Sequence, residues 1–270
     1  MGRFRYYLAI QTVLPEAYGN DRTFLRTLSE LQRAGFDGVE LNISDLRAED
    51  PHRLAAFLGG LGLSFSMFAT GLAARSQGLS LASTDEDRRR RSVAWTCDAL
   101  SFSAEIGGGV IAGFLKGSLE ETSDANREAL RRSLAELAPE AARRKAPLLV
   151  EAINRRESPI GHRLQEVRDL IGGNAGPFLQ VLPDTWHMSI EEPPVEASLV
   201  RHMGSFSSLH LSDDNRFFPG FGGLEFGRIL SALESAGYRG KLAVEGNVKT
   251  DFAADAVRAA DYLRPLIGER

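Results

Sequence analysis

The chain has 270 residues, 43% hydrophobic and 25% charged, with a net charge of −4, values of an ordinary globular protein that argue against a nucleic-acid-binding surface. Its one cysteine, Cys97, excludes an internal disulfide and a multi-cysteine zinc site, and in helical surroundings it reads as a small hydrophobe. The N-terminal MGRFRYYLAIQ is too short an apolar run for a signal peptide and no stretch approaches the ~20 apolar residues of a membrane span, so a cytoplasmic protein is expected.

Tyr6–Gln11 reads as the first strand. Asp21 caps a helix through Leu25, Leu28 and Leu31, and Gly35 ends it. Gly38–Asn42 is a second strand, followed by a helix near Pro51–Leu61, and Leu63–Thr70 is a third. Ser83 and Thr84 open a long helix with the charge run Asp85–Arg91 on its first turns and Trp95, Leu100 and Phe102 further along. The acidic residues in that run mark a solvated face rather than a nucleic-acid contact. Gly108–Leu115 is the fourth strand, with a helix over Leu119–Lys145. Pro147–Ile153, Phe178–Asp184, Phe206–Ser212 and Leu242–Glu245 are the fifth to eighth strands. Helices over Ile160–Ile171, Val195–Met203, Leu224–Ala236 and Asp251–Leu266 follow them in turn.

Near-continuous apolar strands alternating with helices are the pattern of a covered parallel sheet. Eight such units in this length predict a closed (β/α)8 TIM barrel of the α/β class, a single domain over residues 1–270. No Gly-x-Gly-x-x-Gly follows the first strand, so no nucleotide cofactor is expected.

In such a barrel the carboxyl ends of the strands meet at one mouth, where chemistry is placed. Strands five to eight end in Glu151, Asp184, His210 and Glu245. Three carboxylates and an imidazole at one mouth repel unless a cation sits among them. Oxygen donors with one nitrogen favour Mn²⁺, Mg²⁺ or Co²⁺ over a thiolate-type zinc site, and Mn²⁺ is the ion expected first. The seventh strand runs into an unusually polar cluster, with His210, Asp213, Asp214 and Arg216 before a Pro- and Gly-rich loop.

The segments VEAINRRES around Glu151, PDTWHM around Asp184, HLSDDNRFFPGFG from His210 and AVEGN around Glu245, with the early GFDGVEL, resemble the sugar isomerase/epimerase superfamily of xylose-isomerase-like barrels. They are most similar to the ketose 3-epimerases of the D-tagatose 3-epimerase type. The resemblance implies that Glu151, Asp184, His210 and Glu245 ligate one divalent metal ion. It implies that Glu151 and Glu245 are also the acid/base pair, and that Glu157, His187 and Arg216 contact the substrate. The implied reaction inverts carbon 3 of a ketose through a metal-stabilised enediolate. A small-molecule sugar is the implied partner, and a homodimer or homotetramer the implied assembly.

Other readings stay open. An aldose–ketose or hydroxypyruvate isomerase would use the same enediolate, and an inosose-type dehydratase the same metal site. A non-catalytic sugar- or metal-binding barrel would keep the ligands without turnover. His187 reads alternatively as a cap of the next helix, Arg216 as a partner of Asp213 or Asp214, and Glu157 as a rim charge beside Arg155 and Arg156. Glu40 either binds substrate or pairs with a rim cation, and Gly220–Gly223 offers a nest for a phosphate. His52, His162 and His202 fall on helices or their starts and read as surface or helix-end residues. The family pattern follows the last glutamate with proline, where this chain has Gly246 and Asn247.

Overall fold

The computed structural model describes residues 6–268. The first five residues, part of the stretch read above for a signal peptide, and the last two lie outside that range. Eight parallel strands are hydrogen-bonded in the order β6-β5-β4-β3-β2-β1-β8-β7. They are β1 (Leu8–Val13), β2 (Gly38–Asn42), β3 (Ser64–Ala69), β4 (Gly109–Ala112), β5 (Leu148–Glu151), β6 (Leu179–Leu182), β7 (Ser208–Leu211) and β8 (Lys241–Val244). The expected barrel is therefore present. Its seam lies between β6 and β7, where a parallel bridge pairs Asp184 with His210 and the His210 N–H donates to the Pro183 carbonyl at 3.0 Å.

The described residues form ten α-helices around the strands: α1 (Arg22–Ala34), α2 (Pro51–Gly60), α3 (Gly71–Gln77), α4 (Glu86–Glu105), α5 (Asp124–Arg144), α6 (Leu164–Ile171), α7 (Thr185–Glu191), α8 (Val195–Arg201), α9 (Phe226–Ser235) and α10 (Phe252–Ile267). Their ends follow local chemistry. Asp21 accepts from the N–H groups of Thr23 and Phe24, and Gly35 closes α1 at φ 102°, the left-handed conformation glycine adopts freely. Ser123 and Asn126 form a reciprocal capping box on α5. No helix among the described residues is long and apolar enough to cross a membrane.

Strand alternation sorts the side chains into two layers. One set packs under the helices, where Phe65 and Phe68 of β3 meet Phe102 of α4 edge-on; the extra residue Ser66, unpaired in the β2–β3 ladder, puts these two, three apart, on one face. The other set fills the barrel, and it is divided. Met67, Ile111, Leu149 and Leu182, from β3 to β6, form a separate apolar cluster. The β1, β2, β7 and β8 side contributes Glu40, Ser208 and His210, all buried, with Lys241 below them over the Tyr7 ring. The polar half of the interior leads up to the mouth.

Several boundaries differ from the sequence expectation. β1 starts two residues later than read, and α5 starts at Asp124 because Ser123 caps it. Asp85, not Ser83 or Thr84, caps α4, accepting from the Asp87 and Arg88 N–H groups. The short helices α3 and α7 carry too few turns to show a period and were not expected. The arginine run is not uniformly solvated. Arg90 is 71% exposed, but Arg89 is buried, with contacts of 2.8 Å each to Glu86 and Glu136 and a 3.1 Å bond to Ser133. It ties α4 to α5. His202 caps α8 and is buried, whereas His52 is an exposed helix residue near Glu105.

Candidate active site

Glu151, Asp184, His210 and Glu245 converge as their strand positions require. One donor atom from each lies within 4.8 Å of the others. His210 and Asp184 are fully buried, Glu151 is 6% exposed, and the Glu245 side chain is 18% exposed. His210 Nδ1 stands 2.6 Å from Glu245 Oε2 and 3.5 Å from Glu151 Oε1. None of these three buried atoms has a hydrogen-bond partner with acceptable geometry. Buried polar atoms are nearly always satisfied, so three orphans facing one point fit a bound cation. An oxygen-rich set with one imidazole and no thiolate suits a divalent ion of the Mn²⁺ or Mg²⁺ kind.

Charge compensation without an ion is partial. Burial alone would pull the His210 imidazole down, but the Glu40 and Glu245 carboxylates outweigh it and raise it well above its ordinary value. Burial pushes the Glu151 carboxyl up to about 6, with the Glu245 charge adding to it and His210 opposing. Burial also acts to raise Glu245, yet the Arg216 and His210 charges hold it well below the usual carboxylate range. Two facing carboxyls with separated affinities for a proton are the requirement of an acid/base pair.

Arg216 Nη1 donates to Asp184 Oδ2 at 2.6 Å, Nη2 lies 3.1 Å from Glu245 Oε1, and the guanidinium stacks over Trp186. The alternative reading, in which it pairs with Asp213 or Asp214, is not what the structure shows. Asp213 instead accepts from the N–H groups of Gly220, Gly222, Leu224 and Asp214. Gly223 donates to Asp214, so the N–H groups of Gly220, Gly222 and Gly223 are taken by the loop's own carboxylates and are not open to a phosphate.

Gly246 accounts for the departure after Glu245. A Cβ there would stand 2.7 Å from the Arg216 carbonyl, which accepts from the Asn247 N–H at 2.6 Å. Arg216 itself has φ 63°, so this contact holds a strained turn that aims the guanidinium.

His187 lies inside α7, and the cap of that helix is Asp184, which accepts from the Trp186 and His187 N–H groups. The Asn154 backbone N–H donates to His187 Nδ1 at 3.2 Å, which leaves the ring proton on Nε2. Burial lowers the imidazole to about 4, so at neutral pH it is a neutral Nε2–H donor. Glu157 is half-buried beyond the others; burial raises its carboxyl and the Arg216 charge opposes. The rim cation Arg155 pairs with Glu191 instead.

A cavity of about 270 Å³ opens over this floor, lined by Glu151, His187, Arg216 and Glu245 on one side and by Gln11, Asn42, Arg75 and Phe114 on the other. It is near the small end of ligand pockets. Asn42 donates to Gln11 at 3.1 Å and accepts from the Leu72 N–H, which fixes the first turn of α3 as a wall.

The structure adds residues that sequence reading did not place. Lys116, fully buried in the turn after β4, donates to the carbonyls of Glu151 at 2.8 Å and Gly161 at 3.1 Å, and burial pulls its ammonium down to about 7. Nothing in its local sequence signals that. Glu191 accepts from the Arg155 N–H at 3.0 Å and from its guanidinium, pinning the loop that carries Asn154 and Glu157.

Hydrogen bonds from Arg155 lower the Glu191 carboxyl from 4.5 to about 2, with burial opposing. A folded-state value below the unfolded one gives stability that is present above pH 4.5 and lost as pH falls toward 2. Glu191→Gln is therefore expected to lower the melting temperature at pH 7, with the gap to wild type narrowing between pH 4.5 and 2. A gap that stays constant across that range would assign the stability to packing alone.

A family model described as a xylose isomerase-like TIM barrel matches residues 28–266. An L-ribulose 3-epimerase of Mesorhizobium japonicum is 29% identical over 224 residues, which are 82% of this chain and 74% of the relative. A 3-dehydro-D-guloside 4-epimerase of Escherichia coli is 25% identical over 238 residues, 84% of this chain and 88% of the relative. The crystal structure of D-psicose 3-epimerase with D-tagatose from Clostridium cellulolyticum shares the fold, with a TM-score of 0.82 at 21% identity over 97% of this chain and 99% of that one.

Proposed function

The chain belongs to the xylose isomerase-like TIM barrel family, and from that premise we propose that it is a divalent-metal-dependent sugar epimerase that inverts carbon 3 of a ketose. The observation that carries this reading is the convergence of the Glu151 and Glu245 carboxyls with Asp184 and His210 beneath a sugar-sized cavity. Relatives that are sugar epimerases support the reaction class.

Glu151, Asp184, His210 and Glu245 would hold the ion, for which Mn²⁺ is the proposed identity. When bound, it supplies Lewis-acid stabilisation of negative charge on the ketone oxygen. The carbon-bound proton next to the ketone goes to one of the two glutamates, leaving a planar enediolate. The other glutamate delivers a proton to the opposite face, and the configuration inverts. The His187 Nε2–H and the Arg216 guanidinium donate hydrogen bonds to the substrate oxygens that gain charge. Glu157, beyond Arg216, is proposed to anchor a hydroxyl.

The test is proton exchange in D₂O. Metal-free protein is reloaded with Mn²⁺ and incubated with ketohexoses, ketopentoses and 3-keto glycosides, and the ion is removed before NMR spectra are recorded. Deuterium at carbon 3 of a ketose with formation of the inverted sugar is expected. Label at carbon 1, or a new aldose, would replace epimerase with isomerase. Loss of a hydroxyl would replace it with dehydratase. A second reading, inversion at carbon 4 of a 3-keto glycoside, is favoured by the Escherichia coli relative and uses the same carbon adjacent to a ketone. Exchange confined to the keto glycosides would select it.

A further inference from the structure

We infer that Glu40 is the positioning residue of the metal centre: it holds His210 by Nε2 so that Nδ1 is the nitrogen presented to the ion. Glu40 lies in the GVELN strand β2, flanked by Val39 and Leu41, which are buried under the helices. In the β2–β3 ladder Val39 pairs with Phe65 and Glu40 with Met67, so the extra residue, Ser66, lies in β3, and ordinary alternation along β2 turns Glu40 into the barrel. There Glu40 is fully buried, and its Oε2 stands 2.9 Å from His210 Nε2, also fully buried.

A carboxylate in an apolar strand interior is costly to bury without a specific partner. His210 is the one ion-pair partner recorded for Glu40 among the described residues. Lys241, the next cation on that side of the barrel, sits with its ammonium over the Tyr7 ring instead. Glu40 does not line the substrate cavity, so neither reading offered by its sequence, substrate contact or rim ion pair, holds.

The geometry has a direct consequence for ligation. A neutral imidazole carries one ring proton, and the nitrogen without it binds metal. In the neutral ring that binds an ion, an Nε2–H committed to Glu40 would leave the lone pair on Nδ1, the nitrogen that faces Glu151 Oε1 and Glu245 Oε2. Partners of this kind fix both the tautomer and the ring orientation of a metal-binding histidine. Removing Glu40 leaves a buried N–H unsatisfied and frees the ring to place its proton on Nδ1, where it blocks the ion.

This inference rests on the metal-site reading, and the experiment separates the two. Mn²⁺ binding is measured by calorimetry on metal-free wild type, Glu40→Gln and Glu40→Ala. Tight binding to wild type, a 10- to 100-fold weaker affinity for Glu40→Ala, and only a several-fold loss for Glu40→Gln, whose amide oxygen still accepts the N–H, are expected. No Mn²⁺ binding to wild type would remove the metal site itself. Wild-type affinity in a folded Glu40→Ala would remove the role of Glu40 and leave the site standing.

A second readout does not depend on that variant folding. In ¹⁵N-histidine-labelled wild type loaded with diamagnetic Mg²⁺, the His210 signal, identified by its loss in His210→Gln, is expected to show Nε2 protonated and Nδ1 unprotonated. The reverse tautomer would overturn the inference whatever the affinities.

Discussion

Glu245→Gln is expected to lower epimerase turnover by about 10²–10⁴-fold, the usual worth of a positioned general acid or base, while the protein stays folded. The replacement keeps the shape of a side chain that contacts both His210 and Arg216, so packing is preserved while the base is lost; because Glu245 is also a proposed ligand, turnover is measured at saturating Mn²⁺. The more informative readout is exchange from each epimer separately. With one glutamate on each face, Glu245→Gln should still wash the proton out of the epimer served by Glu151, without forming its partner. Glu151→Gln should show the mirror pattern. Exchange lost equally from both epimers in each variant would mean that one residue handles both faces, and the two-base scheme would fall.

The second large effect is metal removal. Protein stripped with a chelator is expected to lose turnover and regain it with Mn²⁺. Binding restricted to the folded state adds about 2.7 kcal/mol at an ion concentration a hundred times the dissociation constant. For a chain of this size that is an upward shift of roughly 5–10 °C in melting temperature. The physical source is the set of orphaned donors on Glu151, His210 and Glu245, which gain a partner only when an ion is present. Asp184→Ala and His210→Ala should abolish the shift. A melting temperature indifferent to Mn²⁺ and chelator alike would argue that Arg216 and a protonated His210 already neutralise the site.

How much of the site was legible depended on distance along the chain. Glu151, Asp184, His210 and Glu245 announced themselves because each ends an apolar run, and strand ends in a barrel share one mouth. The structure brings those four together as expected. His187 and its substrate role came from the resemblance, while its place three residues after Asp184 suggested only a helix cap; that Nδ1 is taken by Asn154, 33 residues away, is a tertiary fact. Arg216 was singled out as a substrate contact, and only the alternative reading, an ion pair with Asp213 or Asp214, fails. Asp213 and Asp214 are its neighbours in sequence, yet the loop folds so that their carboxylates collect backbone N–H groups, and Asp184, 32 residues back, takes the guanidinium.

The eight strand–helix units, both ends of α1 and the set of side chains that meet at the mouth were readable in the sequence. Those depend on period, on turn chemistry and on burial, which are local properties. Only the tertiary structure decided which charge pairs with which. The Glu40–His210 contact joins residues 170 apart, and it exists because barrel closure sets β2 and β7 on the same polar side of the interior. Alternation along β2 and along β7 turns those two groups into the barrel, and no pattern within either strand encodes that meeting.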